Sequence, residues 1–371
     1  MKELLKKLIE QDSSNPPGNE KGAVEVIEKY LNDNKIGYNI YAKEEDRPNL
    51  IVRIGEGSTK ILIAAHTDIV PAGDGWNTDP FKGIIKKGRM YGRGAIDNKG
   101  PLAAILVLAT ELKKIEKKLN GQVIILAVAD EETGSEYGMK YLLEQNLIQA
   151  NYAIIPDISG NCTQIDIAEK GALFINVTAY GKQAHGSRPE FGINAIDHMM
   201  KFNQKIKRCK FLKIKHKILG KPTINLGEIN GGAKHNIVPG KCVAGYDIRY
   251  VPGVTKNEIL EELKKIAASI GKFEFEILTH HIPTEVDKDN ILVKELKKNI
   301  KKIMKVDGKI IGLEGATVCK SLIENNVLAV GFSAGDHELV HCANESIDLK
   351  ELEQFKKILY LTLKGVLTKD F

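Results

Sequence analysis

Carboxylate and imidazole side chains follow several apolar runs of this sequence, where together they could bind divalent metal ions. His66 and Asp68 come directly after the apolar run 60–65, and Asp157 follows the run 152–156. In an open parallel sheet, functional side chains collect beyond the carboxyl ends of the strands. We therefore expect His66 to be a metal ligand and Asp68 to orient its imidazole ring. The alternative is a structural or surface histidine, which a single strand-end histidine more often is.

Three consecutive carboxylates, Asp130, Glu131 and Glu132, follow the very apolar run 122–129. Adjacent carboxylates at the end of a buried strand repel each other unless a cation neutralises them. This arrangement favours a metal site over an ordinary loop. Glu132 is the expected ligand, and Glu131 is the carboxylate left over to act as general base on a water molecule.

Two further candidates complete the set. Asp97 lies in the compact segment GRGAIDNKGP, where its two oxygens can bridge two cations or where it, or the neighbouring Asn98, can cap the helix that follows. His341 lies near the C-terminus, four residues after the rival candidate His337. Such oxygen and nitrogen donors suit two Zn²⁺ ions, with Co²⁺ or Mn²⁺ as substitutes. The predicted ligands are His66, Asp97, Glu132, Asp157 and His341.

The elements that must position these residues alternate between strands and helices. Short runs rich in Ile and Val fit strands that are buried on both faces. Their alternation with helical patterns predicts an α/β fold with a mostly parallel sheet and helices on both faces. The predicted strands are 50–54, 60–65, 122–129 and 152–156, and the predicted helices are 20–34, 101–119 and 137–145.

From residue 172 the pattern changes to strands with polar alternation and two interleaved helices, at 193–207 and 256–270. This predicts a smaller α+β domain, 172–283, inserted into a catalytic domain formed by 1–171 and 284–371. The inserted segment carries 18 Lys and Arg against nine Asp and Glu. A basic domain beside an acidic cavity would suit an anionic substrate.

The composition of the chain argues against several classes of function. A chain of 371 residues predicts about two domains, and its longest apolar runs are far shorter than the roughly 20 residues that span a bilayer. The net charge of +6 comes without aromatic residues among the basic ones, so neither nucleic acid nor membrane is expected as a partner. The N-terminus MKELLKKLIEQ predicts an amphipathic helix and lacks the features of a signal peptide. Five scattered cysteines predict free thiols in a reducing cytoplasm.

The motifs together resemble those of the dinuclear zinc amidohydrolase and peptidase family. The resemblance rests on AHTDIVPAGDGWNTDPF, GRGAIDNKGP, DEETGS, the Pro-Asp at 156–157 and the H-x-x-N-E at 341–345. They occur in family order over nearly the whole chain. Members of that family include acetylornithine deacetylase, succinyl-diaminopimelate desuccinylase, aminoacylases, glutamate carboxypeptidases and bacterial dipeptidases.

The resemblance implies a zinc-exopeptidase-like catalytic domain with defined roles for the ligands. His66 and Asp157 would hold one metal, Glu132 and His341 the other, and Asp97 would bridge them. It further implies a cis peptide bond after Asp97. His341, rather than His337, stands in family register before the Asn-Glu pair at 344–345.

The resemblance also implies that 172–283 is a lid and dimerisation domain, so that the protein is a homodimer. His185 in GKQAHGSRPEFG would complete a site by donating to the reacting oxygen, in its own subunit or in the partner's. Substrate contacts would come from Asn236, Arg249, Gly315 and Thr317, although EGATV departs from the family's Gly-Gly-Thr loop.

The expected reaction is hydrolysis of an amide bond in a small carboxylate-bearing substrate. The main hypothesis is deacylation of an N-acyl amino acid of the N-succinyl-diaminopimelate or N-acetylornithine type, as in amino-acid biosynthesis. The alternative within the same family is a dipeptidase or carboxypeptidase. An alternative from another class is a metal-free binding protein that keeps the fold.

Overall fold

The computed structural model of the chain describes residues 1–158 and 160–368. The chain forms two compact units. The first comprises Met1–Ile167, Val286–Ile311 and the residues from Thr317 onward, and the second comprises Ala168–Glu285 with Gly312–Ala316. All five predicted metal ligands lie in the first unit.

The predicted helices and strands are present near their expected limits, and the structure adds short elements that were not predicted, for example at 38–42, 164–169 and 319–324. The helices are α1 (Lys2–Ile9), α2 (Lys21–Asp33), α3 (Lys99–Lys114), α4 (Met139–Glu144), α5 (Ala195–Ile206), α6 (Lys256–Ala268), α7 (Ile291–Met304), α8 (Cys319–Glu324) and α9 (Leu349–Leu367). The strands are β1 (Tyr38–Ala42), β2 (Pro48–Ile54), β3 (Lys60–His66), β4 (Ile84–Lys86), β5 (Arg89–Tyr91), β6 (Gln122–Val128), β7 (Tyr152–Ile155), β8 (Gln164–Glu169), β9 (Gly171–Tyr180), β10 (Thr223–Gly231), β11 (Lys241–Tyr250), β12 (Phe273–His281), β13 (Thr284–Glu285), β14 (Lys309–Leu313), β15 (Leu328–Gly331) and β16 (Ser346–Asp348).

The large sheet is mixed, so the expectation of a mostly parallel sheet is wrong. Its order is β1-β2-β6-β3-β7-β15-β8-β13, and β14 also pairs with β8. Strands β6, β3, β7 and β15 run parallel, whereas β1, β2, β8 and β13 form antiparallel pairs. The apolar runs revealed which segments are buried strands but carried no information on direction. A short hairpin connection such as that between β1 and β2 makes neighbours antiparallel.

Helices cover both faces of the central strands, as predicted. On one face, Leu62 of β3 packs in a single core cluster with Leu142 of α4 and Leu322 of α8. On the other face, α3 contacts β2, β3 and β6, and α3 in turn contacts α1 and α9. Ile63, which points opposite to Leu62, is fully buried too. Burial on both faces explains the continuous apolar runs of these strands.

The second unit contains an antiparallel sheet with the order β10-β11-β9-β12. Helix α5 packs on β9 and β11, and α6 packs on α5 and β12. Buried and more exposed residues alternate along β11, which is typical of a sheet with one covered face. This is the polar alternation that the sequence showed in this segment. None of the described helices has both the length and the apolar character that crossing a membrane requires.

Candidate active site

Side chains from several loops converge at the carboxyl ends of the parallel strands. His66 is the last residue of β3, Glu131 and Glu132 follow β6, and Asp157 follows β7. The Nε2 atom of His66 lies 2.8 Å from Asp97 Oδ1 and 3.6 Å from Asp157 Oδ1. The structure thus brings together residues that are separated by up to 91 positions.

Asp97 lies between two histidines. Its Oδ1 atom faces His66, and its Oδ2 atom lies 3.0 Å from His341 Nε2. His341 Nε2 is also 3.3 Å from Glu132 Oε1. This is the placement that a carboxylate needs in order to bridge two cations. The peptide bond between Asp97 and Asn98 is cis, which confirms that prediction.

Two trios of donor atoms in the described residues are close enough to hold one ion each. In each trio the atoms all lie within 4.8 Å of one another. One trio is His66, Glu131 and Asp157, and the other is His66, Asp97 and Glu132. Glu131, the expected general base, therefore lies among the expected ligands.

Asp68 contacts the Nδ1 side of the His66 ring. The Nδ1 atom of His66 lies 3.0 Å from the backbone oxygen of Asp68 and 3.3 Å from its carboxylate. Both side chains are almost fully buried. Because Nδ1 is engaged on this side, Nε2 is left to face Asp97 and Asp157, as a metal ligand requires.

The pKa values show how strongly the cluster attracts positive charge. Burial, aided by the charge of Asp97, raises the pKa of Asp157 to about 7. The neighbouring carboxylates of Asp97 and Glu132 raise the pKa of His341 to about 10. Burial opposes ionisation of Asp97, but the imidazoles of His341 and His66 outweigh it and hold the pKa of Asp97 well below its usual range. A divalent cation would satisfy the same carboxylates.

The donor set fits zinc. The buried Oε1 atom of Glu132 accepts no hydrogen bond from any described residue, although His341 Nε2 lies 3.3 Å away. An unpaired buried carboxylate oxygen is costly, and a cation would pair it. Imidazole nitrogens and carboxylate oxygens are donors that Zn²⁺ takes in proteins.

Glu131 has the environment of a general base. Burial is the main cause that raises its pKa well above the usual value, and the charge of Asp157 adds to it. A carboxylate whose pKa is raised towards neutrality is a better proton acceptor at pH 7.

His337 does not join the cluster. It lies at the start of a short turn, His337–Leu339, and its side chain is exposed. Among the described contacts, no hydrogen bond or ion pair links its side chain to the five expected ligands. His341, at φ 60°, takes the position beside Asp97.

In the second unit, His185 and Asn236 lie on adjacent segments. His185 pairs with Ile237 in an isolated bridge, and the N–H of Gly186 donates to Asn236 O at 2.7 Å. The Nδ1 atom of His185 accepts the backbone N–H of Ser187 at 3.1 Å and lies 2.7 Å from its hydroxyl. The neutral ring therefore carries its proton on Nε2, which can donate to a ligand.

The other expected substrate contacts have local partners. The Nε atom of Arg249 pairs with Asp247 at 2.8 Å, and its guanidinium lies over the Phe174 ring. Thr317, in the first unit, accepts the N–H of Cys319, the first residue of α8, on its hydroxyl at 3.1 Å. Gly315 is exposed, with open space where a side chain would be.

A buried ion pair that the sequence analysis did not assign connects two ligand loops. Arg93 Nη1 lies 2.9 Å from Glu345, and both side chains are almost fully buried. Arg93 also donates to the backbone oxygens of His341 and Cys342. Glu345 accepts the N–H of Asp97 at 3.1 Å. Both residues lay inside quoted motifs, but nothing in the sequence distinguished them from surface charges.

The sequence analysis also did not identify Asn15, which contacts Asp68 beside the cluster. Its side-chain amide donates to Asp68 Oδ2 at 2.9 Å. In the sequence it lies in SSNPPGNE, which has the composition of a turn. Nothing in the sequence indicated that this Asn is buried or that it contacts a site residue.

Comparison with known sequences gives a consistent result. A profile of peptidase family M20/M25/M40 matches residues 62–365. An uncharacterized metallohydrolase of Methanocaldococcus jannaschii is 33% identical, with 96% of this chain and 97% of the relative covered. A probable succinyl-diaminopimelate desuccinylase of Staphylococcus epidermidis is 30% identical, with 87% of this chain and 88% of the relative covered.

Solved structures share the fold. A tripeptidase from Staphylococcus aureus superposes with a TM-score of 0.80 at 20% identity, covering 98% of this chain and 97% of that one. The aminopeptidase PepT from Bacillus cereus superposes with a TM-score of 0.81 at 21% identity, covering 99% of both. At this level of identity the likeness concerns the fold alone.

Proposed function

Because the chain belongs to peptidase family M20/M25/M40 and is a metallohydrolase, we propose that it removes the acyl group from an N-acyl amino acid of the N-succinyl-diaminopimelate or N-acetylornithine type. The observation that carries this proposal is the position of Asp97. Its two oxygens face His66 and His341, while Glu131 lies in the same cluster. Such a centre suits hydrolysis of an unactivated amide.

Two observations favour an acidic N-acyl substrate. A relative at 30% identity is named a probable succinyl-diaminopimelate desuccinylase. The segment 172–283 carries twice as many basic as acidic residues, which favours an anionic ligand. A dipeptide or C-terminal peptide bond is the alternative substrate, since the same centre could cleave either.

Two Zn²⁺ ions are the proposed cofactors, with Co²⁺ or Mn²⁺ as substitutes. His66 and Asp157 would hold one ion and Glu132 and His341 the other, with Asp97 shared. When bound, such ions acidify water and polarise a carbonyl oxygen. Asp68 keeps the His66 ring turned towards its ion.

Glu131 moves the proton in the proposed reaction. It accepts a proton from the attacking water and then delivers it to the nitrogen of the leaving amine, while the C–N bond of the amide breaks. The N–H on His185 Nε2 would donate to the substrate oxygen as negative charge develops there.

Two residues of the second unit would bind the substrate carboxylate, since Arg249 and Asn236 offer N–H donors for this purpose. Gly315 and Thr317 are proposed as further substrate contacts. Because Arg249 already pairs with Asp247, a substrate carboxylate would have to share the guanidinium or displace Asp247 from it.

The proposal includes a homodimer formed through residues 172–283, which would act as lid and dimerisation domain. Closure would exclude water and bring His185 to a site. The cysteines of the described residues are all free thiols, which supports a cytoplasmic enzyme.

An activity panel tests the substrate. Zinc-loaded protein would be assayed with N-succinyl-diaminopimelate, N-acetylornithine, other N-acyl amino acids and dipeptides. We expect the highest kcat/KM with an acidic N-acyl amino acid. Preference for a dipeptide would establish the alternative, and inactivity of metal-loaded protein on the whole panel would refute the proposal.

A further inference from the structure

A buried amide lies directly behind the candidate centre. Asn15 is 3% exposed, and its backbone N–H donates to Ile69 O at 2.8 Å. The two N–H bonds of its side-chain nitrogen are shared among three acceptors: Asp68 Oδ2 at 2.9 Å, Asp130 Oδ1 at 3.1 Å and Thr133 Oγ1 at 3.0 Å. One amide group therefore joins two buried carboxylates.

The first of these carboxylates, Asp68, joins two parts of the site. Its Oδ1 atom accepts the backbone N–H of Glu131 at 3.1 Å, and its Oδ2 atom accepts that of Glu132 at 3.1 Å. The same carboxylate faces Nδ1 of His66 at 3.3 Å. A shift of Asp68 would therefore move a ligand and the segment with the base together.

The second carboxylate, Asp130, immediately precedes Glu131 and Glu132. It also contacts Thr133 and Arg47. Its Oδ1 atom accepts from the Thr133 hydroxyl at 2.5 Å and lies 3.1 Å from Arg47 Nη2. Arg47 in turn pairs with buried Glu20 at 2.7 Å. Asp130 adopts φ 63°, so it turns the chain immediately before Glu131.

We infer that Asn15 is a positioning residue that holds Asp68 and Asp130 in one arrangement, and thereby sets the orientation of His66 and of the segment carrying Glu131 and Glu132. Without a donor between them, two buried carboxylates would repel each other. Hydrogen-bond partners behind metal ligands commonly control metal affinity or activity by about 10- to 100-fold. The inference rests on the proposed metal-dependent function for its catalytic meaning.

The test replaces the amide by a group of nearly the same size. Asn15→Asp puts an acceptor where the two carboxylates need a donor. The matched control is Asn299→Asp, because Asn299 is also 3% exposed and donates to Glu295 O and Thr362 in the helices α7 and α9. The measurements are Kd for Zn²⁺ by chelator competition, kcat and KM, and urea unfolding of the full chain.

We expect Asn15→Asp to weaken Zn²⁺ binding or lower kcat by about 10- to 100-fold, with a smaller change in KM. Asn299→Asp should lower the resistance to urea and leave the Zn²⁺ affinity and kcat unchanged. If both variants lose stability alike while Zn²⁺ affinity and kcat stay at wild-type values, the inference is overturned and Asn15 only stabilises the fold.

A second pair of variants decides the matter if Asn15→Asp fails to fold. Asn15→Ala removes the donor to Asp68 and Asp130 without adding a charge, and Asn299→Ala is its matched control. We expect several-fold weaker Zn²⁺ binding or lower kcat in Asn15→Ala alone. Wild-type Zn²⁺ affinity and kcat in Asn15→Ala would contradict the inference. The Zn²⁺ measurements need no substrate, so inactivity of the wild type would refute the proposed function without deciding this test.

Discussion

The adjacent residues Glu131 and Glu132 have the same side chain, but their different surroundings suit them to different roles. Burial and the charge of Asp157 raise the pKa of Glu131 well above its usual value. Glu132 instead keeps a buried oxygen that accepts no hydrogen bond from any described residue and lies 3.3 Å from His341 Nε2. The first is suited to accept a proton and the second to bind a cation.

Glu131→Gln should lower kcat by about 10²- to 10⁴-fold, because an amide cannot accept the proton of the attacking water. Metal content, measured by elemental analysis, should stay at the wild-type value. Glu136→Gln is the control, since Glu136 is exposed and pairs with Lys140. Substantial turnover by metal-loaded Glu131→Gln would remove Glu131 from the mechanism.

His341→Ala should reduce the metal content by about one ion per chain, because a zinc site that loses one of its protein ligands binds weakly. His337→Ala is the matched control four residues away and should retain both ions. The measurement is elemental analysis after purification without chelator. The opposite pattern, with metal lost in His337→Ala, would show that the ligand assignment is wrong.

The residues of the cluster could be picked out in the sequence because each is of a metal-binding type at or after a strand end or in a distinctive loop. Asn15, Arg93 and Glu345 could not be predicted in the same way. They act through hydrogen bonds to other protein groups, and such bonds depend on which loops meet in space. The type of a residue that only positions a ligand does not reveal this role in the sequence.

At the scale of elements, the loop before α3 and the loop before β16 each carry one ligand of the cluster. The ion pair of Arg93 and Glu345 joins them, since Arg93 holds the backbone of His341 and Glu345 holds that of Asp97. This buried ion pair thus helps to place the two expected ligands relative to each other, although their loops lie far apart in sequence.

Arg93→Met should lower the free energy of unfolding by about 3–5 kcal/mol, because it leaves a buried carboxylate without its partner. The control is Lys113→Met, which breaks a largely exposed pair with Glu116 and should cost less than about 1 kcal/mol. Urea unfolding of metal-free protein measures both. Equal small losses would mean that backbone donors alone satisfy Glu345.

The positions of the strands in the sequence were easier to predict than the directions in which they run in the sheet. The runs that became β2, β3, β6 and β7 were recognisable because burial on both faces demands continuous apolar residues. Strand β8 alternates polar and apolar residues, and β15 has only four residues. Their pairing depends on long-range contacts that periodicity does not report.

At the scale of the whole molecule, the chain leaves the first unit at Ile167, returns at Val286, and contributes Gly312–Ala316 to the second unit. The expected ligands and base lie in the first unit, and His185, Asn236 and Arg249 lie in the second. The proposed metal centre thus lies in one unit, and three of the proposed substrate-contacting side chains lie in the other.

Mixing two inactive variants tests whether subunits share His185. If His185 serves the partner's site, then a mixed dimer of Glu131→Gln and His185→Ala holds one intact site. Random exchange of equal amounts should restore about a quarter of wild-type activity in a twofold-symmetric dimer. No recovery after proven subunit exchange would mean that each chain supplies its own histidine or that His185 takes no part.

The order of strands in the large sheet has a consequence for biosynthesis. Strand β15 lies between β7 and β8, yet about 170 residues separate the end of β7 from its start. At ~5–20 residues per second, a ribosome needs on the order of 10–30 s to make that stretch. Throughout that time β7 presents an open edge, which is prone to aberrant pairing. His341 emerges later still, so a nascent chain can bring all five expected ligands together only after β15 and the segment that follows it have been synthesised.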